Sequence, residues 1–101
     1  MIDAVARTGA PLFLYLAWQS VHSPDQAPQR YIDSFASTIS NVHRRTFAAM
    51  VKALDEGVAN VTARLEKHGM LNDTLIVFSA DNGGPADNFN SNMACNWPLR
   101  G

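Results

Sequence analysis

The sequence has a single cysteine, Cys95, among its 101 residues. One thiol cannot form an internal disulfide, so the chain is not a disulfide-stabilised small scaffold. No apolar run approaches the ~20 residues that a membrane-spanning helix needs. The formal net charge is −1, and this near balance gives no basis for a nucleic acid or another polyanion as a partner.

The N-terminal stretch MIDAVARTGA also lacks a basic flank followed by a long apolar region, so it is not a secretory signal. Two triplets nevertheless fit the N-glycosylation acceptor pattern, NVT at Asn60 and NDT at Asn72. They indicate the secretory route, with a lysosomal or extracellular location. Because no signal is present, we would then expect the chain not to be a complete reading frame. The alternative is that both triplets are ordinary polar residues of a helix and a turn and carry no glycan.

The length, and a composition that is 47% hydrophobic, predict one small globular domain at most. The pattern of apolar residues predicts that this domain is α/β. Residues 12–18, LFLYLAW, form a continuous apolar run that is typical of a strand covered on both faces. Residues 19–42 contain prolines, serines and no sustained period, which predicts a long loop with a short turn of helix. Residues 74–80, TLIVFSA, are the second predicted strand.

Residues 43–68 have the clearest pattern, with apolar side chains at spacings of three and four, as in an amphipathic helix. The apolar stripe consists of Phe47, Met50, Val51, Leu54, Val58, Val61 and Leu65. Gly57 inside this helix should cost ~1 kcal/mol against alanine. Gly69 is expected to end the helix in a left-handed conformation.

A strand, a helix and a strand in this order predict a right-handed βαβ unit with a mostly parallel sheet. Ligands of such sheets bind beyond the carboxyl ends of the strands. His22 follows the first predicted strand, and Asp81 and Asn82 follow the second. We therefore expect these three residues at one edge of the sheet.

Asp81 and Asn82 are candidate metal ligands, because carboxylate and amide oxygens suit a hard cation such as Ca²⁺ or Mg²⁺. Adjacent side chains converge on one ion only where the chain bends, and Gly83-Gly84 would allow that bend. The alternative is a plain turn, since Asn-Gly is a common hairpin signal. His22 could donate to an anionic oxygen, act as an acid or bind metal, and its alternative is a structural histidine.

Three segments together resemble the interior of a type I sulfatase of the arylsulfatase B-like group. They are PLFLYLAWQSVHSP, the helix, turn and strand that lead to SADNGG, and CNWPLRG. The resemblance runs from about Pro11 to Gly101 and implies an alkaline-phosphatase-like α/β fold, hydrolysis of sulfate esters and a bound calcium ion. It also implies that Asp81 and Asn82 are calcium ligands and that His22 contacts the sulfate group of an aryl or sugar substrate.

The departures from that family concern the catalytic groups. Its nucleophile is a formylglycine made from cysteine in a Cys-x-Pro-x-Arg motif, whereas this chain has Cys95-x-x-Pro98-x-Arg100. The family's upstream paired aspartates, its lysine and histidine pair, and a lysine expected after NWPLRG are absent from this sequence. Residues 1–101 are therefore predicted to be a partial sulfatase catalytic domain with site loop 81–101. The chain holds no catalytic residue of its own, needs the remainder of the domain and is inactive alone.

Three other interpretations stay open at the level of sequence. A phosphatase or phosphodiesterase of the same superfold would need two transition metals and several histidines, and that spacing is not visible. A non-catalytic product could keep the βαβ core and bind calcium or a partner. In a generic α/β fragment, the DNGG stretch would be only a turn.

Overall fold

Helix α3 dominates the fold. The computed structural model describes residues 1–85 and 94–99. Within these residues, α1 spans Ile2–Ala6, α2 spans Gln29–Asp33, α3 spans Val42–Lys67, and a single 3₁₀ turn spans Leu71–Asp73. The other three helical segments all contact α3.

Both ends of α3 are capped by residue types that are common at helix ends, asparagine at the start and glycine at the end. The side chain of Asn41 accepts a hydrogen bond from the backbone N–H of Arg44 at 2.9 Å, which caps the N-terminus. At the other end, Gly69 has a φ of 66°. The N–H groups of Gly69 and Met70 donate to the carbonyls of Glu66 and Leu65, both at 2.9 Å, which is the Schellman pattern. The helix predicted at 43–68 and its glycine stop are confirmed.

The apolar core of the described chain is small. Its buried apolar side chains are Ile2, Ala49, Met50 and Leu65. The Cα radius of gyration is 16.7 Å, whereas a compact domain of this length has ~13 Å. Burial of apolar surface therefore holds α1 and α3 together locally and does not enclose the rest of the chain.

Helix α2 is joined to α3 mainly by polar and cation–aromatic contacts. The Tyr31 hydroxyl donates to the carboxylate of Glu56. The ammonium of Lys52 donates to the Ser34 hydroxyl at 2.9 Å and lies 5.5 Å from the centroid of the Phe35 ring. The short turn of helix predicted within residues 19–42 is confirmed, and these contacts determine where it lies.

The predicted strands at 12–18 and 74–80 are wrong, and so is the α/β class with its parallel sheet. The described residues contain helices and no strand. Phe13, Leu75 and Val77 are 92%, 89% and 79% exposed instead of buried between two layers. A strand exists only when its backbone pairs with another strand. Among the described backbone groups, the hydrogen bond from the N–H of Thr74 to the Leu71 carbonyl closes the 3₁₀ turn, and none involves residues 12–18 or 75–80. An apolar run in the sequence cannot show whether a pairing strand is present.

Gly57, the glycine inside α3, makes room for an aromatic side chain. A Cβ added at Gly57 would lie 3.3 Å from Cζ2 of Trp18. The indole therefore packs directly on the helix backbone and attaches the end of segment 12–18 to the middle of α3. This contact offsets the lower helix propensity of glycine.

Helix α1 is attached to the C-terminal turn of α3 by a charged cluster. Oδ1 of Asp3 lies 2.6 Å from Nε2 of His68 and 3.5 Å from Nε of Arg64. The pKa of Asp3 is lowered, first by the hydrogen bond from His68 and then by the positive charges nearby, while partial burial opposes the shift. Because folding lowers this pKa, the cluster stabilises the attachment above the ordinary pKa of an aspartate. That stabilisation is lost as the pH falls through the lowered value.

We expect acid to release α1 from α3 as Asp3 is protonated. The backbone amide shifts of Ala4 and Val5, followed by NMR during titration to low pH, should report a transition below the ordinary aspartate pKa. Asp3→Asn should remove that transition, whereas Asp55→Asn, at an acid of α3 that takes no part in the cluster, should leave it in place. An unchanged transition in Asp3→Asn would contradict the role of the cluster.

Candidate functional site

The candidate metal ligands lie in a bend directly after residues 74–80. The backbone N–H of Asn82 donates to Oδ1 of Asp81 at 2.9 Å, and Nδ2 of Asn82 donates to the carbonyl of Gly83 at 2.8 Å. The second bond engages the side-chain amide nitrogen of Asn82 with the backbone of the next residue. No hydrogen bond within the described residues uses Oδ1 of Asn82, and both side chains are exposed. The local geometry thus presents carboxylate and amide oxygens together.

A reciprocal pair of hydrogen bonds holds this bend against the segment that starts at Ala94. The N–H of Gly84 donates to Oδ1 of Asn96 at 2.8 Å, and Nδ2 of Asn96 donates to the carbonyl of Gly84 at 2.7 Å. One primary amide satisfies both backbone groups because it carries a donor and an acceptor. The SADNGG and CNWPLRG segments are therefore joined through Asn96.

The two glycines of the bend are required for space. Neither has a positive φ. A Cβ on Gly83 would lie 2.8 Å from Oδ1 of Asn96, and a Cβ on Gly84 would collide with the Cβ of Ala94. The side chain of Asn96 fills the space that the missing Cβ atoms of these glycines leave open. Sequence reasoning missed Asn96, although the asparagine-rich stretch around Cys95 was the available signal.

His22 is exposed, and a local hydrogen bond determines its tautomer. Its Nδ1 lies 2.8 Å from the carbonyl oxygen of Ser23. A carbonyl only accepts, so Nδ1 carries the proton and donates. In the neutral ring Nε2 is then an acceptor, and it becomes a donor only when the ring is protonated. His22 can therefore donate through Nε2 to an anion in its charged form.

The structure does not bring His22 together with Asp81 and Asn82 in the way the sequence predicted. Within the described residues, no hydrogen bond or ion pair joins His22 to either of them. The expected meeting point was the edge of a parallel sheet, and the described chain has no sheet. The individual roles of the three residues stay predictions.

The donor chemistry of Asp81 and Asn82 suits calcium, but two residues make only part of a site. Calcium takes ~6–8 oxygen ligands. Among the described residues, no group of three or more histidine, cysteine, aspartate or glutamate side chains could hold a metal ion. The pair fits one side of a calcium shell.

The remaining predicted positions are on the surface or outside the described residues. Asn60 and Asn72 are both exposed, on α3 and in the 3₁₀ turn respectively. Cys95 is exposed and forms no disulfide. Residues 86–93 of the predicted site loop, and Arg100, lie outside the described residues. None of the helices in the described part of the chain is long and apolar enough to cross a membrane.

Comparison with known proteins gives a consistent family. The family model named Sulfatase matches residues 1–98. Arylsulfatase J of Mus musculus is 50% identical over 91 residues, which are 90% of this chain and 14% of that protein. Human arylsulfatase A is 35% identical over 83 residues, 82% of this chain and 15% of that protein. The uncharacterized sulfatase YdeN of Escherichia coli (strain K12) is 32% identical over 92 residues, 86% of this chain and 16% of that protein.

No solved structure matches the chain. The chain spans 14% to 16% of the length of these three relatives, so the similarity concerns one segment of much longer proteins. Within that segment, the family match covers the bend at Asp81-Asn82 and its clamp to Asn96. The chain belongs to the sulfatase family.

Proposed function

We propose that this chain is a segment of a calcium-dependent hydrolase of sulfate esters, with an aryl sulfate or a sulfated sugar as substrate. The observation that carries the proposal is the sulfatase family match across residues 1–98, which includes an exposed carboxylate and amide pair suited to calcium. Relatives named as arylsulfatases are consistent with the aryl sulfate class.

In this proposal, Asp81 and Asn82 hold the calcium ion through their side-chain oxygens. A calcium ion bound there would supply positive charge that stabilises the negative charge developing on the sulfuryl oxygens. Asn96 acts as a positioning residue, because its two hydrogen bonds to Gly84 hold the bend in place. With the bend held in this way, the Asp81 and Asn82 side chains stay exposed, and other residues of the domain can complete the calcium shell beside them.

His22 binds the sulfate group of the substrate through Nε2. Its Nδ1 is already engaged by the Ser23 carbonyl, so the contact with an anionic oxygen requires the imidazolium form. We place the parent protein on the secretory route, lysosomal or extracellular, with glycans at Asn60 and Asn72, whose exposure is compatible with modification.

The second candidate function is a non-catalytic calcium-binding or partner-binding product. It is favoured by the chemistry present in the chain, which offers metal-binding oxygens but no Cys-x-Pro-x-Arg motif. The phosphatase or phosphodiesterase alternative has no corresponding observation, since the matching family and the relatives carry sulfatase names.

We expect Asp81→Asn in the full-length protein that carries this segment to lower kcat/KM for an aryl sulfate by at least ~100-fold, the scale of losing a group that stabilises transition-state charge. Asn96→Ala should lower it by ~10- to 100-fold, as for residues that orient a metal ligand. Both variants should need more Ca²⁺ for half-maximal activity. Asp73→Asn is the matched control and should leave activity and calcium dependence unchanged. Normal calcium dependence in Asp81→Asn would contradict the proposal.

His22→Gln should weaken competitive inhibition of the same protein by inorganic sulfate by ~10- to 100-fold, the worth of a hydrogen bond to a charged group. Unchanged sulfate inhibition in His22→Gln would assign the sulfate contact to another residue.

The isolated 101-residue chain should show no sulfatase turnover with or without added Ca²⁺, because it supplies neither a formylglycine nor a full set of calcium ligands. A fluorogenic aryl sulfate assay measures this directly, with the full-length protein as the positive control. Turnover by the purified chain would refute the assignment of the nucleophile to another part of the protein.

A further inference from the structure

His22 lies in a loop that regular secondary structure does not support. Residues 19–28 connect Trp18 to the start of α2 and contain no helix or strand. No hydrogen bond between two described backbone groups involves residues 19–27. Backbone pairing among the described residues therefore does not determine where this loop lies.

Side chains at both ends of the loop contact adjacent residues of α3. At the first end, a Cβ added at Gly57 would lie 3.3, 3.7 and 3.8 Å from Cζ2, Cε2 and Cη2 of Trp18, which are neighbouring atoms of the six-membered ring. This ring therefore lies directly against the helix backbone. At the second end, the Tyr31 hydroxyl donates to the carboxylate of Glu56. The helix thus holds both ends of the loop, as in an Ω-loop, whose ends are close together.

The loop presents His22 to its surroundings in a fixed local orientation. His22 is exposed, whereas its neighbours Val21 and Ser23 are half-buried. Its Nδ1 donates to the Ser23 carbonyl at 2.8 Å, which orients the ring relative to the local backbone. His22 follows Trp18 by four positions, so the chain can place at most ~14 Å between their Cα atoms. A shift of the indole on α3 therefore moves the imidazole as well.

We propose that Trp18 and Gly57 are positioning residues for His22, an inference that rests on the proposed contact between His22 and the sulfate group. The missing side chain at Gly57 lets the indole reach the helix backbone. That contact holds the loop where Nε2 of His22 meets the sulfate oxygens. Without it, the loop has to be ordered when the substrate binds, and the conformational entropy lost in this ordering weakens binding.

The test uses the full-length protein that carries this segment and its competitive inhibition by inorganic sulfate. Trp18→Ala should weaken this inhibition by about tenfold, because a misplaced binding group loses much of its contribution. Trp18→Phe keeps an aromatic ring against Gly57 and should restore most of the inhibition. Absence of any loss in Trp18→Ala would overturn the positioning role.

Calcium dependence separates positioning of His22 from general support of the fold. The Ca²⁺ concentration for half-maximal hydrolysis of a fluorogenic aryl sulfate should be the same in Trp18→Ala as in the unmodified protein. The reason is that this substitution leaves the bend at Asp81 and Asn82 intact. A parallel loss of calcium affinity would show that Trp18 supports the whole domain, and it would overturn a specific role toward His22.

Gly57→Leu tests the same contact from the helix side. Leucine has a higher helix propensity than glycine, so the substitution does not weaken α3 itself. Its side chain takes the place of the indole ring, and sulfate inhibition should weaken by about tenfold, as in Trp18→Ala. Ala59→Leu adds a leucine at an exposed position of the same helix and is the matched control, with inhibition unchanged. Equal inhibition in the two leucine variants would overturn the role of the contact.

A double variant shows whether Trp18 acts through His22. In a His22→Gln background, Trp18→Ala should cause no further loss of sulfate inhibition, because two changes that remove the same interaction are not additive. Losses that multiply in the double variant would show that Trp18 acts independently of His22 and would overturn the inference.

The single variants distinguish failure of this inference from failure of the proposed function. If His22→Gln alone leaves sulfate inhibition unchanged, the proposed sulfate contact is wrong, and the positioning role is overturned with it. If His22→Gln weakens inhibition and Trp18→Ala does not, the sulfate contact is retained and the positioning role alone is overturned.

Discussion

Every other helical segment of the described chain depends on α3, and α3 depends on the closure of its two ends. Asn41 satisfies a backbone donor at the start, and the Schellman pattern around Gly69 satisfies carbonyls at the end. The C-terminal turn also provides His68 and Arg64 as the anchor for α1. In the middle of α3, Trp18 packs on the backbone at Gly57. Polar side chains from the same part of the helix bond to α2 and the residues after it. A helix with unsatisfied ends would fray where these attachments are made.

The bend of the candidate site is held by the side-chain amide of Asn96, which takes the place of a backbone hydrogen-bond partner. Asn96 bonds both the N–H and the carbonyl of Gly84, as a neighbouring strand would do. The lack of side chains on Gly83 and Gly84 makes this approach possible. The bend that presents Asp81 and Asn82 is thus held by a contact between two segments that are far apart in sequence.

The described residues contain no sheet because strands and helices satisfy their backbone groups in different ways. Residues 12–18 and 74–80 have the composition of buried strands, yet the described chain contains no element that pairs with them. α-Helices make their backbone hydrogen bonds within the segment, so α3 needs no partner strand for them. Strands satisfy theirs only through another strand. The same requirement explains why the helix is well formed and why Leu75 to Phe78 stay exposed.

The sequence by itself determined the features that rest on local interactions. The apolar spacing predicted α3 to within a residue at each end, and Gly69 predicted its stop. The motif order predicted the sulfatase family, and residue chemistry identified Asp81 and Asn82 as oxygen donors. Only the tertiary structure decided the rest: the absence of strands in the described residues, the anchoring of α1 through Asp3, the indole of Trp18 on Gly57, and the clamp made by Asn96. Each of these depends on contact between residues distant in the chain, and neither periodicity nor propensity carries information about which distant groups meet.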